Sequence, residues 1–170
     1  MQLNALVLFL ASLAVMVAQA LPMEKRGSGT AIHIKSEHEF CSYMPPRPGQ
    51  DVASTENNAE AFCTNTNLAH GSKKFPNGFI RSAHFKRTSQ YVQVTGRIDR
   101  SKYRLSSRDG GGQYDQKDLP HGTCNGWRYF VNLIEPDANV FCIRCCKESK
   151  YCNTGISSRG CERIVPGDYH

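Results

Sequence analysis

The fold is decided by the stretch Cys142-Ile143-Arg144-Cys145-Cys146-Lys147-Glu148-Ser149-Lys150-Tyr151-Cys152, which is followed by Cys161. Together these positions, the cysteine cluster, hold five of the eight cysteines of the 170-residue chain. Only Cys41, Cys63 and Cys124 lie elsewhere. If all eight cysteines pair, at least one disulfide closes inside the cluster, and at least one and up to three tie it to the rest of the chain.

The cysteines allow two interpretations, disulfides and a metal site. Cys142-x-x-Cys145 has the spacing of zinc ligands, and the other cysteines of the cluster supply further thiolates. An even number of cysteines in an exported chain instead predicts up to four disulfides and neither metal nor cofactor. Cys145 and Cys146 are then expected to bond to different partners, because adjacent side chains of an extended backbone point in opposite directions.

The N-terminus favours export. Residues 1–20 are predicted to be a signal peptide, because an apolar run too short to span a bilayer ends in Ala18-Gln19-Ala20. Residues 21–26 are predicted to be a short pro-segment ending in the dibasic processing site Lys25-Arg26. Residues 27–170 then form a single cysteine-rich domain that is secreted and extracellular. They contain no second apolar run long enough for a transmembrane segment.

The remaining pattern is mainly that of β-structure. Residues 79–85, 91–98, 127–134 and 139–145 are predicted strands, with 127–134 at the centre of the sheet and Gly96 marking a bulge or a close backbone approach. Residues 54–63 are predicted to be one short helix that carries Cys63 toward the cluster, and the chain after Cys146 is expected to be irregular. The fold class is therefore α+β, mainly β: a single disulfide-stapled antiparallel sheet domain with one short helix.

Charge is concentrated between residues 73 and 108, where ten basic residues accompany one acid, Asp99. The net charge of the chain is +6. Such a basic band attracts an anionic polysaccharide, a phospholipid surface or a host macromolecule, although an ordinary solvated face has the same composition. Tyr91, Gln93 and Thr95 are expected to face away from the core beside it. The band consists of Lys73, Lys74, Arg81, Lys86, Arg87, Arg97, Arg100, Lys102, Arg104 and Arg108.

An alternative is a small hydrolase such as a nuclease. His84 and His121 with Glu135 are the residue types of acid–base catalysis on a phosphodiester. No recognised catalytic motif accompanies them, and the paired cysteines leave no thiol nucleophile, so the sequence favours a protein that is not an enzyme. Asp109-Gly110-Gly111-Gly112-Gln113-Tyr114-Asp115 offers two aspartates to Ca²⁺, but it lacks the ligand spacing of an EF-hand and is predicted to be a turn.

The chain resembles small secreted cysteine-rich proteins of fungi that have no assigned function. The resemblance covers most of residues 63–168. It is carried by the signal peptide with Lys25-Arg26, by residues 78–85, 91–96, 109–115 and 129–136, and by the cysteine cluster with residues 161–167. Such proteins are often candidate effectors, which act on a host or a neighbouring organism. The resemblance implies location and class, and no catalytic residues.

The sequence therefore predicts a secreted, disulfide-stabilised binding protein, effector-like or associated with the cell surface. It is expected to be monomeric and to present its basic band to an anionic partner. Two alternatives remain: the hydrolase that uses His84 and His121, and a structural protein of the cell wall.

Overall fold

In a computed structural model, which describes residues 29–170, ten strands form three sheets. The predicted signal peptide and the dibasic site lie outside the described residues. Within residues 29–170, no helix is both long and apolar enough to cross a membrane. The strands are β1 (Ala31–Ile32), β2 (Cys41–Met44), β3 (Glu60–Cys63), β4 (Lys73–Lys74), β5 (His84–Arg87), β6 (Tyr91–Arg97), β7 (Gly112–Asp115), β8 (Thr123–Cys124), β9 (Tyr129–Glu135) and β10 (Val140–Cys146).

The largest sheet is antiparallel, with the strand order β5-β6-β10-β9-β7. Just before β9, Asn125 and Gly126 both take positive φ, as a two-residue type I′ turn requires, and this turn pairs Cys124 of β8 with Trp127. The predicted hairpin of 127–134 with 139–145 is present, but the central strand is β10 and not β9. β10 carries three of the cysteines and is buried on both faces, whereas β9 lies one strand to its side.

The two faces of this sheet are covered by different parts of the chain. On the core face, Val94, Phe130 and Ile143 pack with the N-terminal residues of β1, β2 and β3. On the tail face, Leu133 and Cys142 pack under residues 147–170, which we call the tail. The smaller sheets, β2-β3-β4 and β1-β8, belong to the core side.

A buried asparagine links the large sheet to β2. Asn132, with no exposed surface, accepts a hydrogen bond at Oδ1 from the Tyr43 backbone N–H (2.6 Å), and its Nδ2 donates to the Cys142 carbonyl oxygen (3.1 Å). A buried amide of this kind fixes the relative position of two sheets, because a shift leaves its polar atoms without partners.

The fold class is confirmed: residues 29–170 are mainly β, with antiparallel sheets, disulfides and one α-helix. That helix is not where the sequence places it. Residues 53–55 form a single 3-10 turn, and Glu60–Cys63 is strand β3, paired with β2. Capping residues and apolar spacing favour a helix locally, but pairing with another strand outweighs this preference. The α-helix, α1 (Gly160–Ile164), lies in the tail, which was predicted to be irregular.

All eight cysteines are paired. The disulfides are Cys41–Cys63, Cys124–Cys145, Cys142–Cys161 and Cys146–Cys152. Cys41 and Cys63 pair with each other across β2 and β3, so the expectation that Cys63 reaches the cluster is wrong. Cys145 and Cys146 do have separate partners: Cys145 belongs to the core face and Cys146 to the tail face. The cluster therefore fastens the central strand on both of its sides.

Candidate functional site

The basic band of residues 73–108 is spread over two sheets and over both ends of β6. Lys73 and Lys74 form β4 in the three-stranded sheet, while Lys86 and Arg87 end β5 in the five-stranded sheet. Nine of the ten side chains make no ion pair with any described residue; the exception is Lys73, which pairs with Glu60. The acidic segment of residues 37–60 therefore neutralises little of the band.

At the end of the sheet where β6 finishes, Arg81 and Arg97 border a groove of about 530 Å³. Asp99 and His170 line the same groove. The Ser101 hydroxyl donates to Asp99 Oδ1 (2.6 Å), and this bond, with smaller contributions from Lys102 and Arg81, lowers the pKa of Asp99 below its usual value. The groove therefore holds charges of both signs, which weakens its attraction for anions.

The opposite end of the sheet is more strongly basic, and the sequence did not reveal it. Arg87, Tyr91 and Tyr129 belong to the last rows of the β5–β6–β10–β9 register, and the Lys147 N–H donates to the Gln90 carbonyl oxygen (3.0 Å). The Cys146–Cys152 disulfide turns the tail back over this end. We call the result the basic end; its cations are Lys86, Arg87, Arg128, Arg144, Lys147 and Lys150.

Aromatic rings accompany these cations. Four of the five cation–ring contacts among residues 29–170 lie at the basic end, and the fifth joins Lys73 to Phe62. The distances from cation to ring centre are 4.2 Å for Arg144–Tyr91, 5.0 Å for Lys150–Tyr151, and 5.7 Å for both Arg87–Phe85 and Lys147–Trp127. No pattern along the chain reveals this grouping, because strand pairing brings the residues together.

Arg144 is the half-buried member of the basic end. Its Nε donates to Gln93 Oε1 (2.9 Å) and its Nη1 to the Tyr151 carbonyl oxygen (3.2 Å). Burial lowers the pKa of the Arg144 guanidinium, while nearby Tyr91 and Tyr169 act in the opposite direction. No carboxylate in the described part of the chain forms an ion pair with it. Arg144 is thus a partly desolvated cation without a counter-charge.

The polar residues of β6 do not form the open surface that was expected beside the band. Gln93 and Thr95 face away from the core, but each is only 1% exposed because the tail covers them. Gln93 Nε2 donates to the Pro166 carbonyl oxygen (3.0 Å), and Thr95 Oγ1 donates to that of Asp168 (2.6 Å). The tail is therefore a second layer of the fold, held by more than Cys152 and Cys161.

The three residues of the hydrolase alternative do not meet. His84 faces the tail, with Nδ1 3.6 Å from Asp168 Oδ2 and Nε2 2.8 Å from the His170 carbonyl oxygen. His121 is exposed in the turn before β8, next to Gly122, which packs on the core side against Tyr43 and Phe130. Two histidines on opposite sides of a sheet cannot share one substrate.

Glu135, the last residue of β9, has a structural role because it holds the tail. Its Oε2 accepts a hydrogen bond from the Cys161 N–H (3.1 Å). Burial raises the pKa of Glu135, and this hydrogen bond opposes the shift. The Glu135 carboxylate therefore binds the backbone at the start of α1.

The two aspartates of the glycine-rich segment are also occupied. Asp109 accepts hydrogen bonds from the N–H groups of Val52 (3.0 Å) and Gly111 (2.9 Å). Asp115 accepts from Gln113 Nε2 (2.8 Å) and from the Lys117 N–H. Among residues 29–170 no group of three or more His, Cys, Asp or Glu side chains is placed to hold a metal ion. The segment leads into β7 and fastens it to residues 51–56.

Comparison with known proteins relates the chain to fungal proteins. It is 31% identical over 161 residues to appressorium protein ROW1 of Mycosarcoma maydis, and 26% identical over 166 residues to appressorium protein ROW2 of the same fungus. The matches cover 80% and 81% of this chain, which spans only 36% and 53% of the two curated relatives. No family model matches the chain, and no solved structure matches it.

Proposed function

We propose that the chain is a secreted, disulfide-stabilised binding protein of a fungal cell, effector-like or attached to the cell surface, that presents basic side chains to an anionic partner. The observation that supports this most is the absence of ion pairs at nine of the ten band residues, within the part of the chain that is described. Cations without counter-charges create a potential that draws anionic ligands.

Two further observations support the proposal. Four disulfides are typical of proteins that work in an oxidising, extracellular compartment. Both fungal relatives are named for the appressorium, which fits an exported protein that acts where a fungal cell meets a surface. His84, His121 and Glu135 lie apart, so the geometry gives the hydrolase alternative no support.

The test is retention on an acidic resin. The full chain is produced in a secreting fungal host, and mass spectrometry of the exported protein is expected to find Gly27 as its first residue. On heparin resin this protein should elute at a higher salt concentration than a control protein of equal size and net charge, since clustered cations release more counterions. Elution together with the control would contradict the proposal.

A further inference from the structure

We propose that the basic end binds carboxylate groups spaced along an acidic polysaccharide. This inference rests on the proposed function, and it moves the binding site from the band of residues 73–108 to a surface that strand pairing assembles. The new members are Arg128, Arg144, Lys147 and Lys150, all of which lie outside that band.

The charge balance favours this end of the sheet over the other. Of its six cations, only Lys150 forms an ion pair with a described residue, Glu148, at 3.0 Å. The groove at the opposite end contains Asp99 next to Arg81 and Arg97. An anionic chain therefore meets a larger uncompensated positive charge at the basic end.

The cation–ring contacts prepare the cations for binding. A cation above an aromatic face is attracted by the electron-rich ring, which restricts a side chain that is otherwise flexible. Side chains that are already ordered lose less conformational entropy when a ligand binds. Four of the six cations of the basic end, Arg87, Arg144, Lys147 and Lys150, are therefore partly ordered before any ligand arrives.

Arg144 provides the most specific contact. A guanidinium carries five N–H donors, and two of its nitrogens donate to Gln93 and Tyr151. The remaining donors of Arg144 have no partner among residues 29–170. A carboxylate accepts two parallel N–H bonds from such a fork, and the bond is stronger where water is partly excluded, as it is beside Tyr91.

The same contacts favour a polysaccharide over a single-stranded nucleic acid. Nucleic-acid platforms leave aromatic faces open so that bases can stack on them. At the basic end, the faces of Tyr91, Tyr151 and Trp127 already carry cations of the protein itself. The cations above these rings remain available to a ligand, and they suit acidic groups on a hydroxyl-rich polymer.

The test compares two triple variants with the same change in charge. Arg128→Gln/Lys147→Gln/Lys150→Gln removes exposed cations from the basic end, and Arg81→Gln/Arg97→Gln/Lys102→Gln removes exposed cations from the other end. Affinity for polygalacturonate is measured by calorimetry at about 0.1 M salt, with thermal unfolding to confirm that both variants fold. We expect the first variant to lose affinity roughly ten- to a hundredfold and the second less than about threefold.

Further measurements define the ligand and the place of binding. Methyl-esterified polygalacturonate, which lacks the negative charges, is expected not to bind. Trp127 is the single tryptophan, so its fluorescence should change as the wild type is titrated with polygalacturonate. Arg144→Lys keeps the charge but loses the fork, and it should weaken binding several-fold.

Each contrary result has a distinct meaning. Equal losses in the two triple variants, or binding without a fluorescence change, would overturn the basic end as the site while leaving the proposed function intact. Equal binding of the esterified polymer, or tighter binding of single-stranded RNA, would overturn the ligand class. If the wild type binds neither polygalacturonate nor heparin, the proposed function itself fails.

Discussion

At the scale of single residues, Gly96 shows what a local signal can predict. Its position within a strand predicts a bulge or a close backbone approach, and the structure confirms it. The N–H groups of Arg81 and Ser82 both donate to the Arg97 carbonyl oxygen, at 2.8 and 3.3 Å. A Cβ atom on Gly96 would lie 2.1 Å from the Ser82 carbonyl oxygen. The position is closed to any side chain by neighbouring backbone.

We therefore predict that Gly96→Ala destabilises the protein by about 1–3 kcal/mol, since backbone must move to admit the methyl group. The control is Gly155→Ala, whose new methyl group meets no atom within 4 Å. Urea unfolding measures both. Equal stabilities of the two variants would show that the approach of Ser82 to Gly96 is not a constraint.

At the scale of elements, prediction succeeds where the interaction is local and fails where it is not. The β9–β10 hairpin is predictable because its turn and its two apolar runs are adjacent in sequence. The prediction of a helix over 54–63 is wrong because β3 pairs with β2. Cys41 and Cys63 of these strands are 22 residues apart, and no local signal in the sequence indicates that pairing. The prediction of an irregular tail fails for the same reason, because the contacts of the tail with Gln93 and Thr95 each span 73 residues.

The disulfides differ in the lengths of chain that they enclose. Cys142–Cys161 spans 19 residues and Cys146–Cys152 spans six. In the chain-entropy model, loss of the first bond costs about 3 kcal/mol and loss of the second about 2 kcal/mol. We predict that Cys142→Ala/Cys161→Ala lowers the free energy of unfolding more than Cys146→Ala/Cys152→Ala. Guanidinium unfolding measures the free energy of unfolding of both variants. A larger loss in Cys146→Ala/Cys152→Ala would mean that contacts made by the short ring outweigh chain entropy.

At the scale of the whole molecule, the candidate site was only partly predictable. Lys86 and Arg87 lie in the basic band and also at the basic end. Arg144 and Lys147 belong to the cysteine cluster, and Arg128 follows a turn, so all three lie outside the band of residues 73–108. Composition reveals that a chain is basic, but only strand order and register decide which cations become neighbours.

Buried tyrosines in both layers make the whole fold sensitive to alkali. Burial raises the pKa of Tyr103 to about 12, and burial raises the pKa values of Tyr43, Tyr114 and Tyr169 still further. Because these pKa values are higher in the folded state than in the unfolded state, stability is fully present below about pH 10 and falls as the pH rises above it.

We predict that these four phenols stay un-ionised up to about pH 11 in the folded protein, and that unfolding at a pH between about 10 and 11 ionises them together. Absorbance at the phenolate band, followed with and without denaturant, measures this. Tyr103→Phe removes one of the four and should reduce the step by a quarter. A step that is absent on unfolding would show that the tyrosines are open to solvent in the native state.

The short spans of the disulfides decide how the protein responds to a single cut. Cys41–Cys63 closes one ring, and the other three bonds together enclose residues 124–161. A peptide bond broken inside either region leaves the fragments covalently joined. Residues 64–123 lie in no ring, and they include the exposed Lys86-Arg87 pair. Among residues 29–170, the only strand that pairs with this part of β5 is β6. One cleavage there divides the chain into two pieces that non-covalent packing alone keeps together.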